Sequence, residues 1–267
     1  MVIALPKRSC ISRNSTVSSR PLLNRFSSTT KLTLTPATKL YFPVDKTDVD
    51  VYVYAPFGTH SSMTAMAFTV DADQSTDAKY KASDFVYGMG TAHYNTAPAK
   101  TAEVTMYHAL TKLTFFIEDV GGIAGNIQEI SLGDVYKKAT IDMSKAIATA
   151  VTTSSDAADN GTVKVSNSAD NISLYANVNK TASATAPGVS AVIPPQSGMS
   201  ASTGPTVSVK INNVTKTAYL GSATLTSFEP GKEYKYTLKI LSDEVIVVVV
   251  SIVDWVAGAA QERELTF

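Results

Sequence analysis

Between Leu32 and Trp255, apolar residues recur at every second position in short runs. That spacing turns one face of an extended strand toward a core and the other toward water. In the segment 232–240, Tyr234, Tyr236, Leu238 and Ile240 alternate with Glu233, Lys235, Thr237 and Lys239. In the segment 49–55, Val49, Val51, Val53 and Ala55 share one face while Tyr52 and Tyr54 share the other. Strands are predicted likewise at 32–35, 39–44, 63–70, 83–90, 104–120, 127–136, 138–143, 172–178, 189–195, 206–212, 216–221 and 223–228. Turn signals separate these runs: Pro230-Gly231 presets a turn, and Ser242-Asp243-Glu244 suits a tight hairpin. No stretch holds a helical period over three turns, so the expected fold is all-β, built as sandwiches.

The exception to alternation is Val245–Val253, an uncharged run of valine and isoleucine broken only by Ser251. It is too short for a membrane helix, which needs about 20 apolar residues. Uncovered, so β-branched a run is an aggregation template. It is therefore expected to be a central strand buried on both faces. Trp255, just beyond it, is the expected core anchor of the domain that contains it. Segments 71–82 and 144–168 are polar or poor in bulky apolar residues and read as loops, and 91–100 reads as a linker. The expected division is a leader at 1–30, disordered or truncated, one domain at 31–101 and another at 102–267.

Composition narrows the function. The 23 basic residues balance 23 acidic ones, which gives no electrostatic case for binding nucleic acid. A single cysteine, Cys10, excludes an internal disulfide and a cysteine-rich metal site. Lys7-Arg8-Ser9 stands before Cys10 where a lipoprotein signal would carry small apolar residues, and the apolar stretch ahead of it is five residues long. A secretory signal needs about 7–15.

The sequence holds little that reads as catalytic chemistry. His60, His93 and His108 have no paired metal-ligand spacing, and each reads as a surface or packed histidine. Neither a nucleophile elbow nor a phosphate loop occurs, and Gly121-Gly122 reads as a turn. Asp71 and Asp73 lie in a polar loop without the spacing of a calcium loop. No catalytic residue, cofactor-binding residue or metal ligand is assigned, and an enzyme is not expected.

Five segments, in order, carry a family resemblance: LYFPVDKTDVDVYVYAPF (Leu40 to Phe57), SDFVYG (Ser83 to Gly88), VTMYHALTKLTFFI (Val104 to Ile117), AVIPPQ (Ala191 to Gln196), and FEPGKEYKYTLKI with the following IVDW. Together they resemble the fimbrillin-like proteins of Bacteroides-type bacteria. The resemblance implies two transthyretin-like β-sandwich domains in tandem. It also implies a structural or accessory subunit of cell-surface fimbriae, located in the fimbrium or at the outer membrane. Its partners would be other fimbrial subunits, in a homo- or heteropolymer, with host or bacterial surface ligands besides. Subunits would join by strand donation, after an arginine-directed protease removes a first strand.

On that reading Arg25 is the candidate cleavage position among Arg13, Arg20 and Arg25, the alternative being a merely basic leader. Leu265 and Phe267 fall on one face of the closing segment and are the candidate donor tail. A second reading keeps the scaffold but makes the protein a monomeric adhesin or carbohydrate-binding module. Tyr52, Tyr54, Phe57 and Tyr94 would then form a patch for stacking sugars.

Overall fold

The computed structural model describes residues 48–56, 58, 62–94, 101–119, 127–153, 160–167, 189–241 and 244–255, with short strands at 2–4, 32–34 and 263–266 and single residues 42 and 44. The first strands are β1 (Val2–Ala4), β2 (Leu32–Leu34), β3 (Val49–Ala55), β4 (Met66–Thr69), β5 (Val86–Ala92), β6 (Thr101–Val104) and β7 (Tyr107–His108). Helix α1 (Asp77–Ala82) lies between β4 and β5. Next come β8 (Thr111–Asp119), β9 (Ile127–Tyr136), β10 (Lys138–Ile141), helix α2 (Ile147–Ala150), β11 (Val151–Thr153) and β12 (Asn160–Asn167). The remainder is β13 (Val189–Ile193), β14 (Gln196–Ser197), β15 (Thr206–Ile211), β16 (Val214–Tyr219), β17 (Ser227–Phe228), β18 (Lys232–Ile240), β19 (Val245–Asp254) and β20 (Arg263–Thr266). The protein is all-β, as the alternating runs predict.

Two four-stranded sheets, β12-β9-β15-β16 and β13-β8-β18-β19, face each other as a sandwich. Tyr234, Tyr236, Leu238 and Ile240 from β18 meet Leu113, Phe115 and Ile117 from β8 and Ile130, Leu132, Val207 and Val209 from the opposite sheet. Each such side chain contributes about 1.5–3 kcal/mol when fully buried, and this is the largest apolar cluster among the described residues. The turn residues act as their types require. Asn212 and Asn213, at φ 47° and 65°, make the two-residue hairpin loop between paired Ile211 and Val214. Gly231, at φ 69°, turns the chain into β18.

A second set of strands is built on the sheet β1-β3-β5-β7. The alternation of β3 is realised on both faces. Val51 and Val53 pack with Val104 and Met106, while Tyr52 and Tyr54 pack with Met66, Phe85 and Ile141. Gly88 is required here, because a Cβ at that position would lie 2.1 Å from the Thr105 carbonyl oxygen. The third layer is the sheet β11-β10-β4, in which β10 pairs antiparallel with β4. Residues 138–153 thus join residues 66–69 in one sheet that bridges the expected boundary near residue 101.

Three expectations change. Within 144–168, read as loop, lie α2, β11 and β12, and β12 delivers Val163 and Val165 to the core from between small polar residues. Within 71–82 lies α1, capped by the Thr76 side chain, which accepts from the Lys79 N–H. The third change concerns the valine run. β19 is an edge strand of its sheet and not a central one. Ile246, Val248, Ile252 and Val253 are 39%, 40%, 48% and 38% exposed, so the run is not buried on both faces. Continuous hydrophobicity says that a strand is sticky; it does not say which neighbour covers it. Predicted strand 172–178 lies outside the described residues, as do most of 39–44.

Candidate interaction edges

Sheet edges are the chemically active parts of such a fold, because their outward N–H and C=O groups lack ladder partners. The sandwich has two flanks, one where β12 lies beside β13 and one where β16 lies beside β19.

At the first flank the loop ahead of α1 closes the edge. Gln74 N–H donates to the Lys164 carbonyl at 2.8 Å, and Lys164 N–H donates to the Ala72 carbonyl at 2.9 Å, which occupies β12. The Gln74 side chain then serves β13. Its Nε2 donates to the Val192 carbonyl and its Oε1 accepts from the Val192 N–H, both at 2.8 Å. One carboxamide thereby takes the place of a neighbouring strand, and it is 3% exposed. The loop itself is shaped by Asp71 and Asp73, whose carboxylates accept from backbone N–H groups two residues on. Lys79 pairs with Asp73 and holds its carboxyl well below the usual carboxylate range. A second buried amide, Gln196 of the AVIPPQ segment, accepts from Tyr136 N–H and donates to the Asp134 carbonyl.

The second flank has no equivalent. Among the described residues no strand pairs with the outer edge of β19 or of β16. Val214 and Tyr219 of β16 add to the exposed apolar residues of β19. The Tyr236 hydroxyl donates to the Leu220 carbonyl at 3.2 Å and braces this flank from inside, and burial pushes its ionisation far up.

β19 ends in a polar and aromatic junction. Trp255 is half-buried, its N–H donates to the Gly231 carbonyl, and its ring stacks on His108 at 3.8 Å between centroids. His108 Nδ1 lies 2.8 Å from Asp84 Oδ1. Nearby, Glu233 pairs with Lys112 at 3.0 Å and accepts from the Thr114 hydroxyl at 2.8 Å. Burial works against ionising Glu233, but the Thr114 bond and the Lys112 charge hold its carboxyl below the usual value.

The chain ends contribute strands as well. β1 pairs antiparallel with β3, Ile3 opposite Val53. β20 lies between β2 and β6, with Leu265 opposite Leu34 on one side and Ala102 on the other. Arg25 and Phe267 lie outside the described residues.

The remaining candidates are placed as follows. Tyr52 and Tyr54 are 8% and 4% exposed, and Tyr94 packs edge-on against Phe42. The aromatic patch expected to stack sugars therefore does not form from Tyr52 and Tyr54, whose rings are committed to the core. His93 pairs with Asp48 at the surface, and His60 lies outside the described residues. Among the described residues there is no group of three or more His, Cys, Asp or Glu poised to hold a metal. No helix there is long and apolar enough to cross a membrane. Gln74 escaped the sequence reading because its partner lies 118 positions away and a lone glutamine in a polar loop carries no local signal.

Two solved structures share this fold. A candidate cell adhesion protein from Bacteroides uniformis is similar at 17% identity and a TM-score of 0.57, over 81% of this chain and 76% of that one. Another, from Bacteroides ovatus, is similar at 17% identity and 0.56, over 79% and 69%. The tip fimbrial protein Mfa3 from Porphyromonas gingivalis is similar at 13% identity and 0.46, over 78% and 80%. No curated protein matches the chain. The sequence profile described as fimbrillin-like matches residues 11–255, and the chain belongs to that fimbrillin-like family.

Proposed function

We propose that this protein is a structural or accessory subunit of cell-surface fimbriae, with no catalytic role, joined to neighbouring subunits by donated β-strands. Membership of the fimbrillin-like family supports the fimbrial part of this reading. The observation that carries the strand-donation part is the position of the two chain ends. β1 precedes Arg25 and covers the edge of β3, whereas β2 follows Arg25. Cleavage after Arg25 would free the β3 edge beside Val51 and Val53 and leave β2 in place. β20 is held between strands far from it in sequence, so the tail already has the backbone habit of an inserted strand. The four-residue β20 of that tail, exchanged into a second subunit, would satisfy the same class of main-chain groups there. Other fimbrial subunits are the partners on this reading, and the fimbrium or outer membrane is the location.

The test uses the full chain and a form trimmed after Arg25. Trimmed protein should form heat-sensitive multimers, seen as a ladder on a gel without boiling, and deletion of residues 256–267 should abolish them. Multimers that persist without the tail would exclude it as donor. Trimmed protein that stays monomeric with its tail intact would contradict cleavage-triggered exchange.

A further inference from the structure

We infer that the free edge of β19 is a twofold interface, in which β19 pairs antiparallel with β19 of a second copy. This goes beyond strand donation and requires neither cleavage at Arg25 nor the tail. Exposed edge strands are ordinarily blunted by lysine, by proline or by a covering segment. β19 has no charged residue and no proline from Val245 to Val253, and among the described residues no strand and no loop backbone hydrogen bond occupies its outer edge. The fold covers β13 of the same sheet with Gln74 and leaves β19 bare.

The chemistry of the strip selects its occupant. Ile246, Val248 and Val253 stand opposite Lys239, Thr237 and Glu233 of β18 and so share the outer face of the sheet. Val245, Val247 and Ile252 stand opposite Ile240, Leu238 and Tyr234 and share the inner face. An added strand therefore meets apolar residues on both its faces, and a charged residue placed there would be desolvated without a counterion. The occupant must be uncharged and apolar on both sides, which describes β19 itself.

Register supplies the second argument. β18 pairs Lys235 with Ser251 and Tyr236 with Val249, so Val250 is an extra residue. A regular strand laid along β19 would match one half and fall out of phase in the other. A second β19 carries the same extra residue and stays in phase throughout. With Val245 set opposite Asp254 of the second copy, Ile246 meets Val253, Val247 meets Ile252 and Val248 meets Ser251. In each pair both residues belong to the same face. Asp254, the one charge at the ends of this pairing, is already paired with Lys232 at 2.6 Å. The two sheets would continue as one sheet through an isologous contact.

Sedimentation velocity on the full, untrimmed chain over a wide concentration series should show a monomer–dimer equilibrium. Val248→Lys should weaken the dimer by about tenfold or more while leaving the thermal midpoint of dilute, monomeric protein unchanged, since the side chain sits on the outer face. A Cys10→Ser background carrying Val248→Cys and Ser251→Cys should form a disulfide-linked dimer on mild oxidation, because paired positions have the short Cα separation a disulfide needs. The same background with Val248→Cys alone should not. A chain that stays monomeric throughout and does not cross-link overturns the inference. Equal cross-linking by Val248→Cys alone overturns the register. Multimers that use the β19 edge only after trimming would make the occupant a donated strand and not a second β19.

Discussion

The two flanks of the large sandwich meet solvent in opposite ways. Beside β12 and β13 a loop folded from the other sheet stack closes the edge, and Gln74 supplies with one carboxamide the donor and acceptor that a neighbouring strand would have given. Beside β16 and β19 the ladder stops and four β19 side chains are left more than a third exposed. Strand composition alone does not account for the difference, since β13 and β19 of the same sheet are both rich in β-branched residues. It comes from where the chain spends its polar loops. An edge closed by a long-range contact is an internal joint. An edge left apolar and uncharged is a joint for a partner.

Removing the plug should give the largest effect. Gln74→Ala leaves the N–H and C=O of Val192 buried and unpaired, so it should cost about 2–4 kcal/mol in urea unfolding, at roughly 1–3 kcal/mol for each orphaned group. A loss under about 0.5 kcal/mol, the scale of an ordinary surface change, would mean that the first flank is as open as the second.

Trp255→Ala comes next, because the ring fixes the end of the open edge against His108. Half-buried, it should cost about 2 kcal/mol, less than the ~3–5 kcal/mol of a fully buried tryptophan. A thermal midpoint equal to that of the parent protein would show that the stack does not anchor β19. Tyr236→Phe should cost about 1 kcal/mol by removing the hydroxyl bond to Leu220 that braces the open flank from within.

The smallest effect is one of pH. Glu233 ionises below its usual 4.5, so its contribution to stability is present above that value and is lost as pH falls through its folded-state value. Glu233→Gln should flatten this acid-range decline, while stability near neutrality falls by the loss of the Lys112 pair. An unchanged acid slope in Glu233→Gln would remove Glu233 as its source.

The strands were largely legible in the sequence because alternation is a local signal. β3 and β18 display it: in β18 Tyr234, Tyr236, Leu238 and Ile240 are buried as it predicts, while in β3 it separates two faces that are both buried. The Pro230-Gly231 turn was legible for the same reason, whereas the Asn212-Asn213 loop was not singled out, Asn212 being read as the end of strand 206–212. Strand order was not legible. The run 245–253 has the composition of a central strand, yet its place at the edge depends on which strands pair with β18, namely β8 in parallel and β19 antiparallel. The same limit hid the sheet that joins β4 with β10, and it hid Gln74. A residue's type fixes what it can bond to, and only the assembled topology fixes what lies within reach.

Amide hydrogen exchange on the full chain, followed at low and high protein concentration, tests the contrast between the flanks most directly. The Val192 N–H should be protected at every concentration because Gln74 belongs to the same chain. The outward-facing amides of Val245–Val253 should exchange quickly in dilute protein and slow markedly as concentration rises. If they are already as protected as Val192 in dilute protein, the second flank is closed by the chain itself, and the account of an edge kept open for a partner is wrong.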